Sequence, residues 1–329
     1  MQHHVVVTNR IHDEVLARLQ ARAHVDMNPD LEPWTPEELG RRLQPATAMM
    51  GFMTDRIDEA LLAQAPRLRI VACALKGYDA YDVQACTRRG VWLSIVPDLL
   101  TEPTAELAIG LAIGLSRHVR AGDARVRSPG YAGWRAHLYG TGLHKATVAV
   151  VGLGLVGRAI VDRLMGFGCG QLLGVDPAAG HPAVRNVSLD EALAVSQFVF
   201  LAVPLTPASR QLIDAHRLAR ARPGQLLVNV GRGSVVDEEA VAAALHAGRL
   251  GGYASDVFAC EDWGLPDRSR QVPPALLDAP RTLFTPHLGS AVQDVRLAIE
   301  HRAADNLLAV LDGREPPDRV NEPGGLLAA

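Results

Sequence analysis

The feature that most constrains this chain is an apolar run that stops on glycines and restarts as a helix, VAVVGLGLVGRAI, residues 148–160. Gly152, Gly154 and Gly157 stand as G-x-G-x-x-G between a strand pattern and a helix pattern. Asp176 closes the next apolar run, QLLGVD, at roughly the 20-residue distance at which a dinucleotide fold places its ribose-binding acid. Each position has a physical task. Gly152 permits the tight turn, Gly154 lets a pyrophosphate approach the backbone, and Gly157 lets the helix pack on the strand. The N-terminus of that helix favours phosphate. Asp176 accepts hydrogen bonds from ribose hydroxyls and repels a 2′-phosphate, and Pro177 and Ala178 follow it with no arginine to hold one. The expected cofactor is therefore NAD rather than NADP.

The rest of the chain fits the same architecture. HHVVVT, AMMGFM, LRIVACA and VWLSIV read as strands, with LARLQARA and EALLAQA as helices between them. A long helix is expected from about Thr104, opened by Thr101, Pro103 and Glu106. After the loop SPGYAGWRAHLYGTG, a second series runs through ATVAVVGLG, QLLGVD, FVFLAVP, GQLLVNVG, LGGYASDVF and RTLFTPH. Strands alternating with helices predict parallel sheets. The expected class is α/β, with two Rossmann-like domains, one flavodoxin-like and one dinucleotide-binding, and a cleft between them. Residues 290–311 read as one amphipathic helix, with Ser290 and Gln293 spaced as a capping box. The Pro/Gly-rich REPPDRVNEPGG reads as a mobile tail.

Composition excludes several classes. The net charge of −3 gives no reason to expect nucleic acid or an acidic membrane as partner. The four cysteines, Cys73, Cys86, Cys169 and Cys260, form no CxxC pair, which argues against structural zinc or a disulfide framework; no metal is expected, and a reducing cytosol fits. The N-terminus reads as a strand rather than a signal peptide. LAIGLAIGL, residues 107–115, is far shorter than the roughly 20 apolar residues a bilayer needs.

Three residues downstream of the glycine motif carry chemistry, and each closely follows an apolar strand, where an open α/β sheet faces its ligand. Arg232 can grip an oxyanion bidentately. His287, in FTPHLGSAVQDVR, supplies an imidazole, a group that can take a proton. Glu261, in DVFACEDW, would as a buried carboxylate fix the tautomer of a neighbouring histidine and raise its pKa. Taken singly, Arg232 reads as a surface ion-pair residue, Glu261 as part of a charged loop and His287 as structural; their occurrence together behind a dinucleotide fold is what suggests a site.

This Arg–Glu–His set resembles the D-2-hydroxyacid dehydrogenase family over essentially the whole chain. The resemblance implies Arg232 as substrate anchor, Glu261 as histidine partner and His287 as acid/base. It also implies a homodimer and a discontinuous substrate domain, residues 1–103 and 291–329, around an NAD-binding domain at 104–290. The NAD-contacting set would extend through Leu155, Val156, Val203, Pro204, Val230, Gly231, Arg232, Asp256 and His287, with Thr104 near the nicotinamide end. MMGFMTDRID, CALKGYDAYDVQACTRRGVWL, VPDLLTEPTAELAIGL, YAGWRAHLYGTGL and DVFACEDW further resemble a branch of the family that oxidises phosphite to phosphate. That branch would place Met53, Lys76, Gly77, Trp134, Tyr139, Ser290 and Arg296 around the substrate. Phosphite is largely a dianion and calls for more than one cation, which Lys76, Arg232 and Arg296 would supply. The alternative for Lys76 is a solvated loop lysine, against which its place before Gly77 in an apolar stretch argues. Arg296 is the weaker candidate, since on a helix it can simply pair with a nearby acid, and Trp134 and Tyr139 read equally as packing residues.

Ala80 in KGYDAYD, Gly231 before Arg232 and Asp262 after Glu261 depart from the family, which often has proline where Asp262 stands. Two other functions stay open: an ordinary 2-hydroxyacid dehydrogenase or glyoxylate/hydroxypyruvate reductase, and an NAD-sensing corepressor that acts by binding partners.

Overall fold

A computed structural model describes residues 3–324. The chain divides into two compact units, one comprising the chain up to Leu100, residues 263–266 and the chain from Val292, the other residues 101–262 and 267–291.

The first unit is built on five parallel strands: β1 (His3–Val7), β2 (Ala23–Met27), β3 (Ala48–Gly51), β4 (Ile70–Cys73) and β5 (Trp92–Ser94). Their spatial order is β2-β1-β3-β4-β5, the flavodoxin-like arrangement. β3 and β4 are buried at every position, as expected of strands covered on both faces. β2 went unread because AHVDM lacks a continuous apolar run. The helix Gln293–Leu311 belongs to this unit and lays Ile299, Ala303 and Leu307 into its core.

Two readings of the C-terminal region need correction. The helix begins at Gln293 behind Val292 with no side-chain cap, so Ser290 and Gln293 do not form a capping box. The tail is not loose up to Asn321. Val320 N–H donates to the Leu93 carbonyl (2.8 Å), and the buried Asn321 side chain accepts from Leu93 N–H (2.7 Å) and donates to the Val91 carbonyl (2.9 Å). A polar side chain that satisfies a strand edge overrides the Pro/Gly signal. Gly325, the end of the quoted segment, lies outside the described residues.

The second unit holds seven parallel strands: β6 (Thr147–Val151), β7 (Gln171–Val175), β8 (Arg185–Asn186), β9 (Phe198–Leu201), β10 (Gln225–Asn229), β11 (Leu250–Ser255) and β12 (Thr282–Phe284). The order β12-β11-β10-β9-β6-β7-β8 reverses between β6 and β9, which makes the end of β6 the topological switch point. The long helix starts at Thr101, not Thr104, and packs along the glycine-motif helix Leu155–Met165. Among the described residues no helix is long and apolar enough to cross a membrane, and no cluster of His, Cys, Asp or Glu could hold a metal ion.

Candidate active site

The glycine motif sits at the switch point, and its three glycines are used differently. Gly152 has φ +89°, a left-handed conformation, and a Cβ there would lie 2.7 Å from the Ala202 carbonyl. A Cβ on Gly157 would lie 1.8 Å from the Gly152 carbonyl, so strand and helix touch backbone to backbone. A Cβ on Gly154 would meet nothing within 4 Å. Gly154 therefore serves open space, which fits a phosphate cradle at a helix N-terminus. Leu155 begins that helix 46% exposed, with Val156 half-buried beside it.

Asp176 stands at the end of β7. One carboxylate oxygen accepts from Leu153 N–H (2.8 Å), the other from Ala178 and Ala179 N–H (2.9 and 2.8 Å). Burial raises its pKa, but these donors together outweigh burial and hold the carboxyl below its usual range. Arg158, which the sequence reading passed over, adds a charge that acts on Asp176, and its Nε donates to the Leu153 carbonyl (2.7 Å).

The other candidates of this unit also gather at strand ends. Val203 and Pro204 follow β9; Val230, Gly231 and Arg232 follow β10; Asp256 follows β11; His287 follows β12. Arg232 is half-buried, with Nη1 donating to the Gly231 carbonyl (2.9 Å). Asn229, also unread in the sequence, folds this turn: its side chain accepts from Gly231 N–H (3.1 Å) and donates to the Arg232 carbonyl (2.9 Å).

His287 Nδ1 lies 2.6 Å from Glu261 Oε2. The other oxygen of Glu261 accepts from Phe258 N–H (3.1 Å), so the carboxylate is held at both ends. Both side chains are half-buried, which corrects the expectation of a buried glutamate: the short turn Ala259–Glu261 lies at the surface of the unit. With Nδ1 committed to Glu261, Nε2 is the nitrogen left for proton exchange. His287 itself has φ +58°. Asp256 secures that conformation: its carbonyl accepts from His287 N–H (2.8 Å), and its carboxylate accepts from Leu288 N–H (2.7 Å), Gly289 N–H (2.8 Å) and Thr285 Oγ1 (2.6 Å). Burial raises the Asp256 pKa in spite of these donors. Thr104 is buried alongside, its Oγ1 about where a Cβ on Gly289 would touch, at 3.1 Å. Ser290 follows, half-buried.

Trp134 and Tyr139 stand on an irregular segment of the second unit, 78% and 77% exposed, and so do not pack into its core. The remaining candidates lie in the first unit. Met53, half-buried, follows β3, and Lys76 and Gly77, both half-buried, follow β4. Burial lowers the Lys76 pKa, with Asp98 opposing. Arg296 Nη1 reaches the Ala74 carbonyl (3.5 Å), two residues before Lys76; burial lowers its pKa too, with Glu300 opposing. The structure thus brings two partly desolvated cations to the C-terminal end of β4.

A sheet of this order, a glycine cradle at its switch point and a histidine–carboxylate pair at its strand ends define a dinucleotide-dependent oxidoreductase. Residues 109–289 match the family described as D-isomer specific 2-hydroxyacid dehydrogenase, NAD binding domain. The chain belongs to that family and carries its NAD-binding domain. It is 34% identical over 332 residues to the glyoxylate reductase of Pyrococcus furiosus, covering 98% of this chain and 96% of the relative. A crystal structure of a protein from Thermus thermophilus superimposes with a TM-score of 0.89 at 33% identity, covering 97% of this chain and all of the other. The NADPH-dependent glyoxylate/hydroxypyruvate reductase of Sinorhizobium meliloti, solved with NADP and malonate, gives 0.83 at 27% identity and covers 97% of each chain. The names of the Pyrococcus and Sinorhizobium relatives side with the 2-hydroxyacid alternative, and neither is named for phosphite.

Proposed function

We propose that this oxidoreductase interconverts a small 2-hydroxy acid and its 2-oxo acid, with glyoxylate or hydroxypyruvate as the oxo acid. The observation that carries the reading is the 2.6 Å pairing of His287 Nδ1 with Glu261, at the strand ends of an NAD-binding domain. Relatives named for glyoxylate reduction support the substrate class. Bound on the glycine cradle, NAD supplies the hydride chemistry. Arg232 grips the carboxylate of the substrate. His287 Nε2 exchanges the proton of the reacting hydroxyl, and Glu261 holds the imidazole in the required tautomer and orientation. Asp176 favours NAD through its acceptor oxygens, although Arg158 acting on it makes the discrimination against a 2′-phosphate weaker than Asp176 alone would give.

Phosphite is the second reading, and one observation favours it. Lys76 and Arg296 converge on the end of β4, more cation than a monocarboxylate needs and suited to a dianion. In that reading His287 takes a proton from the water that attacks phosphorus. A homodimer, with the exposed Trp134 and Tyr139 among its contacts, belongs to the same proposal.

One assay separates the readings. Purified protein is followed by NADH absorbance with glyoxylate and hydroxypyruvate in the reducing direction, and with D-glycerate, D-lactate and phosphite in the oxidising direction. Turnover of the organic acids, with phosphite silent, supports the first reading. Turnover of phosphite alone, with KM raised at least about tenfold by Lys76→Met, replaces it with the second. Silence throughout, with NADH bound, defeats both and favours a cofactor-sensing binding protein.

A further inference from the structure

The Asp262 side chain has a task that an apolar or imino residue at this position could not perform. It is 2% exposed, and its Oδ2 accepts from Ser234 N–H at 2.7 Å. Ser234 lies in the short turn Gly233–Val235 that begins directly after Arg232. Asp262 itself directly follows Glu261. One side chain thus ties the loop that carries the arginine to the turn that carries the partner of His287.

Two further contacts join the same segments. Glu238, buried at the start of the helix Glu238–His246, accepts from Ala259 N–H with Oε1 (2.8 Å). A Cβ on Gly233 would fall 1.8 Å from the Phe258 carbonyl carbon and 2.0 Å from Ala259 N, so the two backbones lie in direct contact. Hydrogen bonds run in opposite directions between the segments: Asp262 in the Glu261 turn accepts from the Arg232 side, and Glu238 on the Arg232 side accepts from the Glu261 turn.

We propose that Asp262 is a positioning residue that fixes the anion-gripping Arg232 in register with the Glu261–His287 pair. Without it, the Gly233–Val235 turn is free to shift against Ala259–Glu261, and the arginine no longer meets the substrate at a fixed distance from the histidine. The first effect falls on substrate binding and orientation. The Nδ1–Oε2 pair is spared because Phe258 N–H still holds Glu261. This proposal rests on the assignment of Arg232 and His287 above.

Asp262→Ala, Asp262→Pro and Asp262→Asn test it, the last keeping an acceptor for Ser234 N–H. For each, hydrogen exchange is followed by mass spectrometry over residues 232–236 and 258–262. KM and kcat are measured with the substrate that the panel identifies, and oxalate binding to the enzyme–NADH complex is measured by calorimetry. NADH affinity serves as the check on folding. The expected result for the Ala and Pro variants is faster exchange in both segments together, KM and oxalate Kd raised about tenfold or more, kcat changed less than KM, and NADH affinity retained. Asp262→Asn should restore most of the difference. Unchanged exchange and unchanged KM in Asp262→Ala would overturn the proposal. So would faster exchange without loss of oxalate or substrate binding, since the contact would then be structural only. If a variant loses NADH binding, Ser234→Pro, which removes the donor from the other side, is read by the same criteria. Absence of turnover in the wild type would defeat the proposed function, while oxalate affinity would still decide the role of Asp262.

Discussion

Glu238→Gln should change the pH dependence of stability. Glu238 is 5% exposed; Oε1 accepts from Ala259 N–H, and Oε2 is buried with no hydrogen-bond partner among the described residues. Burial, aided by the nearby carboxylates Asp262, Glu261 and Glu239, pushes its pKa from 4.5 up to about 7, with the Ala259 hydrogen bond opposing. The folded state therefore binds the proton more tightly than the unfolded state. The resulting stabilisation is complete below about pH 4.5 and is lost as pH rises through about 7. At about 1.4 kcal/mol per pH unit, linkage gives a loss of about 2.5 kcal/mol between pH 5 and pH 8 in the wild type. Glutamine keeps the shape and an acceptor for Ala259 N–H and does not titrate. Its buried amide lacks an acceptor, as a protonated Glu238 lacks one, and that cost does not vary with pH. Melting temperatures at pH 5 and pH 8 measure the effect. For a unit of this size, about 2.5 kcal/mol corresponds to about 5–10 °C, and the variant should gain that much on the wild type in going from pH 5 to pH 8. A difference that does not change with pH would show that Glu238 is ionised throughout, and the reasoning from burial would fail.

Other substitutions have distinct expected outcomes. Gly154→Ala should leave the melting temperature unchanged and weaken NADH binding, because its Cβ enters open space where a ligand would lie; Gly157→Ala should lower both, because its Cβ meets the Gly152 carbonyl at 1.8 Å. Melting curves and NADH fluorescence titration separate the two. Asn321→Ala removes the side-chain contacts to Leu93 N–H and the Val91 carbonyl and should cost about 2–3 kcal/mol, read by urea denaturation; an unchanged midpoint would show that the C-terminal segment does not hold β5.

The strands were legible where both faces are covered, since β3, β4, β6 and β9 are continuous apolar runs. β2 and β8 were not, because edge strands such as AHVDM and Arg185–Asn186 need only one partner and carry polar residues. Gly152, Gly154, Gly157 and Asp176 could be read because backbone geometry leaves few residue types that fit. His287 and Glu261 could be paired in advance, though not their shared half-exposure. What stayed hidden was the support around them. Glu238 and the Ser234 contact of Asp262 act through backbone groups brought near by the fold, and side chain-to-backbone bonds over 21 or 28 residues leave no spacing signal. The tail was misread for the same reason, as Asn321 reaches back 228 residues to Leu93.

The most direct test of the account is the turnover of His287→Asn in the NADH-linked assay, using whichever substrate the wild type accepts, with NADH binding measured alongside. If His287 Nε2 moves the proton while Glu261 holds Nδ1, kcat should fall by about 10²–10⁴-fold with NADH affinity retained. Turnover within a few-fold of the wild type would contradict it and leave the His287–Glu261 pair a structural contact.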